Sequence, residues 1–497
     1  MSTHTQTWAL VREWCGTLSD LAAAAALASW DRETLMPAGG VDGRARLLGT
    51  LAGLHHRELV RGEIAEALAA LAGDEANMDA DQRALVRLAT REQNRAVRLP
   101  ERLVRETSEA TSRAVAAWME ARRRDDFAPY AEPLSRVIAL KRETAQALAD
   151  GGDPYDALLD DYEPGAQAAE LEPVFGDLIA RLAPIVAEAT ARHTPSLPER
   201  EWATDDQLAL AHELADMLGF DRANGLIATS EHPFTTTIHR GDVRFTTRLD
   251  SRSPLGNIGA VLHEAGHALY EQGFPTAYER TQLFDAPSLG AHESQSRFWE
   301  NHVGLCAAFW AHIEPTMRRH FPTAMIGIDH ELLHRAANAV RPSFIRVEAD
   351  EVTYNLHIAL RFELERALIG GSLTVADLPE AFATRMEDLL GIRPRTATEG
   401  ALQDIHWADG LIGYFPTYTL GNLYAAQLAQ MVDRAIGGLD AAIEQGRFAD
   451  ILAVLRERVH RHGASVPTGD LMRAATGREL SADALIDHLT RNHTAGA

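Results

Sequence analysis

Lysine is almost missing from this chain: of 48 basic residues only Lys141 is a lysine. A phosphate-cradle lysine or a lysine Schiff base would have to be that one residue, and it sits in no such motif, so both chemistries fall away. Cysteine is nearly as scarce, with only Cys15 and Cys306. Two cysteines are too few for a disulfide framework or a cysteine-ligated metal, and they fit buried thiols in a reducing compartment. No apolar run is long enough to span a bilayer. The stretch Leu21 to Trp30 follows Arg12, Glu13 and Asp20 instead of a basic leader, so it reads as a buried helix of a cytoplasmic protein. The formal charge of −23 is spread along the chain, which argues against nucleic acid or an anionic membrane as a partner.

What remains is helical. Composition scarcely changes along the 497 residues, and neither a long Pro/Gly/Ser linker nor a repeat period interrupts it. The expectation is a mainly α fold read as one catalytic domain over 1–497, in one body or two lobes, with an N-terminal helical region to about residue 150 and the chemistry-bearing motifs in 232–418. Helices are expected over Glu101 to Arg124 and Leu134 to Asp150, with breaks at Pro37 to Gly40, Pro100, and Pro129 to Pro133, and a loop from His193 to Ala203. One segment departs from this habit. Phe234 to Ile238 and Val243 to Thr247 are β-prone runs separated by His239-Arg240-Gly241-Asp242, which predicts a hairpin.

Directly after it comes His263-Glu264-Ala265-Gly266-His267. Ser253-Pro254 and Gly273 with Pro275 bracket a helix over 254 to 272, whose apolar stripe is Ile258, Val261, Leu262, Ala265 and Leu269. Imidazoles four residues apart share a helix face and suit a metal, with Glu264 turned about 100° from His263 to act as general base on water. Two satisfied core histidines are the plain structural alternative. A third ligand is sought in Ala291 to Arg297, where Glu293 is preferred and His292 competes. Two imidazoles and one carboxylate leave a coordination position open, as a catalytic zinc requires. Glu293 and Arg297 could equally form an i, i+4 ion pair.

The motifs His232-Pro233-Phe234, Asp242 to Thr246, His263 to His267, His292 to Gln295, Ile345-Arg346-Val347-Glu348-Ala349-Asp350, and Gly400 to Trp407 occur in order. With Trp30-Asp31, Pro154 to Leu158 and His460 to Gly463, they make the chain resemble the carboxypeptidase Taq family of metallocarboxypeptidases along nearly its whole length. The resemblance implies a large grooved helical fold with a small β-hairpin beside the metal helix. It also implies a homodimer and removal of C-terminal residues from peptides with broad specificity. A single metal ion per subunit, zinc or alternatively cobalt or manganese, would sit on His263, His267 and Glu293. By similarity to the wider group that includes angiotensin-converting enzyme, Tyr414 is the first candidate to stabilise the oxyanion and His406 the second, with Tyr418 close by.

An exopeptidase must bind a free carboxylate, which an arginine does best. Arg346 leads and Arg244 follows, with His232 added from its motif; a structural i, i+4 pair of Arg346 with Asp350 is the plain alternative. Two other classes compete. A metallo-endopeptidase would lack the carboxylate clamp and cut blocked peptides, and a silent helical scaffold would have no use for Glu264.

Overall fold

The computed structural model describes residues 3–192 and 195–494, and of the expected loop from His193 to Ala203 the first two residues lie outside these. The chain divides into two compact units. Unit 1 comprises residues 3–97, 195–337 and 427–479, and unit 2 comprises 98–192, 338–426 and 480–494. Among the described residues, no helix is long and apolar enough to cross a membrane.

Unit 1 opens with the long helix Thr3–Thr34, against which Val41–Leu59 and Gly62–Ala72 pack. Val11, Trp14, Leu18, Ile64, Leu68, Leu71 and Leu85 form a buried cluster there that also takes in Tyr278 and Leu283. The apolar run Leu21 to Trp30 is helical but only partly buried: Ala28 and Trp30 are covered, whereas Leu27 is exposed. Alanines dominate that run, and small side chains leave little area to bury, so hydropathy overstated its depth.

The hairpin forms, and it gains a partner. β1 (Gly225–Thr229), β2 (Thr235–His239) and β3 (Asp242–Thr247) make a three-stranded sheet in the order β1-β3-β2. β3 pairs parallel to β1 with Gly225 opposite Val243, and antiparallel to β2 with Thr235 opposite Phe245. β1 reads Gly-Leu-Ile-Ala-Thr without period-2 alternation, so nothing local distinguished it from a loop. Val243 and Phe245 of β3 are fully buried, and the sheet packs on the following helix, Leu255–Glu271.

Unit 2 is helical among its described residues. Glu101–Arg124 pairs with Ala128–Leu148, and the unit also contains Ala168–Ala191, Tyr354–Gly370, Leu378–Leu390 and Asp483–His493. The break expected at Pro129 to Pro133 does not occur: the helix starts at Ala128, with Pro129 in its first turn and Pro133 inside it. A first-turn proline gives up an N–H that has no helical partner anyway, so only Pro133 costs a backbone hydrogen bond. Tyr354–Gly370 is buried nearly all round, including the polar side chains of Asn355, His357, Arg361 and Glu365. Burying such groups is costly unless they are paired, and Asn355, Arg361 and Glu365 accordingly take hydrogen-bond partners there.

Candidate active site and metal centre

The helix Leu255–Glu271 begins one residue later than the sequence suggests, and Ser253 Oγ accepts from Leu255 N at 3.3 Å. Its apolar stripe is buried as expected, which fixes the rotation of the helix and turns His263 and His267 to one side. A second helix, Leu289–Arg297, starts at Ser288, whose hydroxyl accepts from Ala291 N at 3.1 Å. The two helices touch at Gly266, where a Cβ would lie 2.6 Å from the Gln295 carbonyl oxygen and 2.7 Å from Ser296 Cα. Only glycine permits that approach, and it brings Glu293 to the imidazoles. Glu293 Oε2 stands 3.7 Å from His263 Nε2 and 3.5 Å from His267 Nε2. Donors sharing a zinc at about 2.0–2.2 Å in a tetrahedron lie roughly 3.4 Å apart, so this set is already at ligand spacing. Among the described residues it is the one group of three such side chains drawn together in this way.

The surroundings hold these side chains in place. His263 Nδ1 donates to Glu300 Oε2 at 2.8 Å, which leaves Nε2 to face Glu293. Glu300 lies in a π-helical segment, Phe298–Val303, that continues the Leu289–Arg297 helix. Arg297 donates from Nε to Glu293 Oε1 at 2.7 Å and from Nη1 to Glu300 Oε2 at 3.1 Å. His292, the competing ligand, turns away: its Nε2 meets Glu271 Oε1 at 2.8 Å and its ring stacks on His267 at 4.2 Å. Burial opposes the charged form of His263, but Glu293 and Glu300 outweigh it and lift the imidazole to about 9. Burial and then His292 press His267 down to about 3. Burial also raises the carboxyl of Glu264, against His263 and against Thr235, whose hydroxyl donates to Glu264 Oε2 at 2.7 Å.

Elsewhere in unit 1, Arg244 of β3 is paired with Asp242 at 2.6 and 2.7 Å, and its guanidinium lies 5.6 Å over the Trp30 ring. His232 is exposed, and its carbonyl accepts from Ser230 Oγ. Both thiols are free and raised to about 12 by burial, Cys15 fully covered and Cys306 partly.

In unit 2 a buried cluster surrounds Asp404. Arg346 Nε and Nη2 donate to Asp404 Oδ1 at 3.0 and 2.8 Å, and Nη1 donates to Tyr354 Oη at 3.0 Å. Arg361 Nε donates to Asp404 Oδ2 at 2.6 Å and Nη2 to Gln403 Oε1 at 2.9 Å. The i, i+4 pair of Arg346 with Asp350 is absent, because the chain makes only a 3-10 turn over Arg346–Glu348 before extending. Asp350 instead accepts from the backbone N–H groups of Arg341, Val352 and Thr353. His406 Nε2 lies 3.3 Å from Tyr418 Oη, and its ring is 5.4 Å from that of Tyr414. Burial lowers the His406 imidazole to about 4. Glu365 accepts from Tyr155 Oη at 2.9 Å, Trp407 Nε1 at 2.9 Å and Gly413 N at 3.0 Å, and so ties down both ends of the loop that carries His406 and Tyr414. Gly413 has φ +92, and a Cβ there would strike the Leu158 carbonyl at 2.9–3.0 Å.

A family model, "Carboxypeptidase Taq (M32) metallopeptidase", matches residues 11–493. The chain belongs to that family. It is 42% identical over 490 residues to thermostable carboxypeptidase 1 of Thermus thermophilus, covering 96% of each protein. Its fold matches that of the M32 carboxypeptidase from Deinococcus radiodurans R1 with a TM-score of 0.95 at 37% identity, covering 98% of this chain and 99% of that one. Metallocarboxypeptidase 1 of Trypanosoma cruzi gives 0.95 at 32% identity, over 99% and 100%. The protein is therefore a metallocarboxypeptidase, a hydrolase that requires a divalent metal.

Within this carboxypeptidase Taq member the structure brings together His263, His267, Glu293 and Glu264 in unit 1, and Arg346, His406 and Tyr414 in the neighbourhood of Asp404 in unit 2. Arg244 and His232 join neither group in any direct contact described above. Sequence reasoning passed over Glu300, Thr235, Arg361 and Glu365. Glu300 carried one usable signal, since it lies two helical turns beyond Glu293 and shares its face. The other three make their contacts across long separations that no local pattern records.

Proposed function

We propose that this carboxypeptidase Taq member removes single C-terminal residues from peptides that carry a free carboxylate, with broad side-chain tolerance. The observation that carries the proposal is the convergence of His263, His267 and Glu293 at ligand spacing with the base Glu264 between the two histidines. Zinc is the metal favoured by two imidazoles and a carboxylate, with cobalt and manganese as alternatives and one ion per chain. Bound there, the metal would supply Lewis acidity to the scissile carbonyl and acidity to a water. Glu264 takes the proton of the attacking water and returns it to the leaving amine, and its raised pKa suits both transfers. Thr235 holds that carboxylate by one oxygen.

In unit 2, Arg346 recognises the terminal carboxylate, backed by Asp404, while Tyr414 and secondarily His406 donate to the oxyanion. A neutral His406, as its lowered pKa implies, can donate without adding charge. Arg244 and His232 are assigned to the substrate's remainder, and the outer edge of β2 offers main-chain groups to an extended peptide. The two free cysteines support a cytoplasmic setting, and the family resemblance supports a homodimer.

The test is mass spectrometry of one unstructured peptide supplied as free acid and as amide, with the zinc- or cobalt-loaded enzyme. The expected result is a ladder of products shortened one residue at a time from the free acid only, lost with Glu264→Gln. Internal cuts in both peptides would instead identify an endopeptidase.

A further inference from the structure

We infer that Arg297 and Glu300 are positioning residues that close a ring around two of the metal ligands and restrict Glu293 to a single donor oxygen. The inference rests on the assignment of His263, His267 and Glu293 as ligands. Each ligand side chain has two donor atoms, and the fold must choose between them. For His263 the choice is made by Glu300, whose carboxylate can only accept and therefore takes the Nδ1–H at 2.8 Å. For Glu293 it is made by Arg297, whose Nε occupies Oε1 at 2.7 Å, so that Oε2 alone faces the two imidazoles. The same guanidinium reaches Glu300 at 3.1 Å. His263, Glu300, Arg297 and Glu293 thus form a chain of charge-assisted hydrogen bonds whose two ends meet where His263 Nε2 and Glu293 Oε2 lie 3.7 Å apart.

His267 is held differently. Its Nδ1 makes no hydrogen bond, and its ring is fixed by stacking on His292. The brace therefore acts on one imidazole and on the carboxylate. All three of its acidic and basic members, Glu293, Arg297 and Glu300, come from one continuous run that passes from α-helix into the π-helical turn at Phe298. Such turns interrupt the regular ladder and recur at functional sites. The chemical consequence is a donor count. With Oε1 engaged, the chain presents three donors and leaves room for both a water and the substrate carbonyl; a Glu293 free to present both oxygens would fill one of those places.

The experiment is an equilibrium competition for Zn²⁺ between the full-length protein and a chromophoric chelator, for wild type, Arg297→Met, Glu300→Gln and the double variant, with His267→Ala as control. Each single change is expected to weaken zinc binding by about tenfold to a hundredfold. The double variant is expected to bind barely more weakly than the worse single one, because one broken link already opens the ring. Single variants within about twofold of wild type, or a double variant whose loss is the product of the two, would overturn the brace. A His267→Ala protein that binds zinc as wild type does would overturn the ligand assignment instead, so the two failures are distinguishable. Circular dichroism melting of the metal-free proteins checks folding. Should Arg297→Met not fold, Arg297→Lys, whose single ammonium cannot reproduce the two-pronged contact, is expected to weaken binding as well, and together with Glu300→Gln it decides the matter.

Discussion

The two units each bury a charged cluster, and the clusters are left unbalanced in opposite directions. In unit 1, Glu264, Glu293 and Glu300 surround His263 and His267 with Arg297 as the cation paired to them. In unit 2, Arg346 and Arg361 share the single carboxylate of Asp404. Burying charge without balance is costly, so a surplus persists where something else supplies the missing sign. A surplus of carboxylate suits a divalent cation, and a surplus of guanidinium suits an anion such as a peptide's terminal carboxylate. On the proposed function, cofactor and substrate recognition would rest on the same electrostatic device with the sign reversed.

Removing a donor from the acidic cluster should break the comparison most severely. His267→Ala is expected to lose bound metal and with it all hydrolysis above background, as read by metal analysis beside a peptide assay; a variant that keeps one ion per chain and full turnover would sink the assignment. Glu264→Gln should separate chemistry from binding on that side. Its kcat is expected to fall by about 10²–10⁴ while metal content stays at the wild-type level. On the basic side, Arg346→Ala should lower kcat/KM for free-acid peptides roughly a hundredfold, with no comparable loss in any residual cleavage of amides. Equal losses on both substrates would remove Arg346 from carboxylate recognition.

The smallest effect concerns Glu365, which burial raises to about 7 from an ordinary 4.5 against the pull of Gly413 N, Trp407 and Tyr155. Because the folded state holds this proton more tightly, its contribution to stability is complete below pH 4.5 and declines as pH rises through about 7. Glu365→Gln should flatten that part of the profile in thermal melts between pH 5 and pH 8. An unchanged slope would show that another group carries it.

Much of this was legible in the chain itself, for reasons that differ by element. The helix of the histidine pair was fixed to within a residue, because Ser253, Pro254 and Gly273 are local punctuation and the apolar stripe has a helical period. Glu293 was preferred over His292 because a carboxylate on the next helix suits a helix-borne histidine pair, and it stands 3.7 and 3.5 Å from the two imidazoles. Its neighbour Arg297 was foreseen as an i, i+4 partner, but not as a link onward to Glu300 and His263. The alternative pairing of Arg346 with Asp350 fails for a physical reason: i, i+4 arithmetic applies to a helix, and only a single 3-10 turn forms there, so the guanidinium reaches Asp404 across 58 positions. β1 escaped notice because its pairing with β3 is parallel and nonlocal. Glu365 joins Tyr155, Trp407 and Gly413, which lie 210, 42 and 48 positions away, and sequence spacing holds no record of that.

Gly266 has a consequence that reaches beyond its own position. Because the Gln295 carbonyl stands 2.6 Å from where its Cβ would be, the spacing of two helix axes is set by backbone contact, without a compressible side chain between them. The three proposed ligands ride on opposite sides of that contact, so any widening of the axes opens the gap between imidazoles and carboxylate by a similar amount. Metal affinity in this enzyme is thus a gauge of interhelical distance. With the metal held there, a cavity or an overpacked side chain far from the histidines would register as a change in the metal's dissociation constant before it registers as a loss of fold.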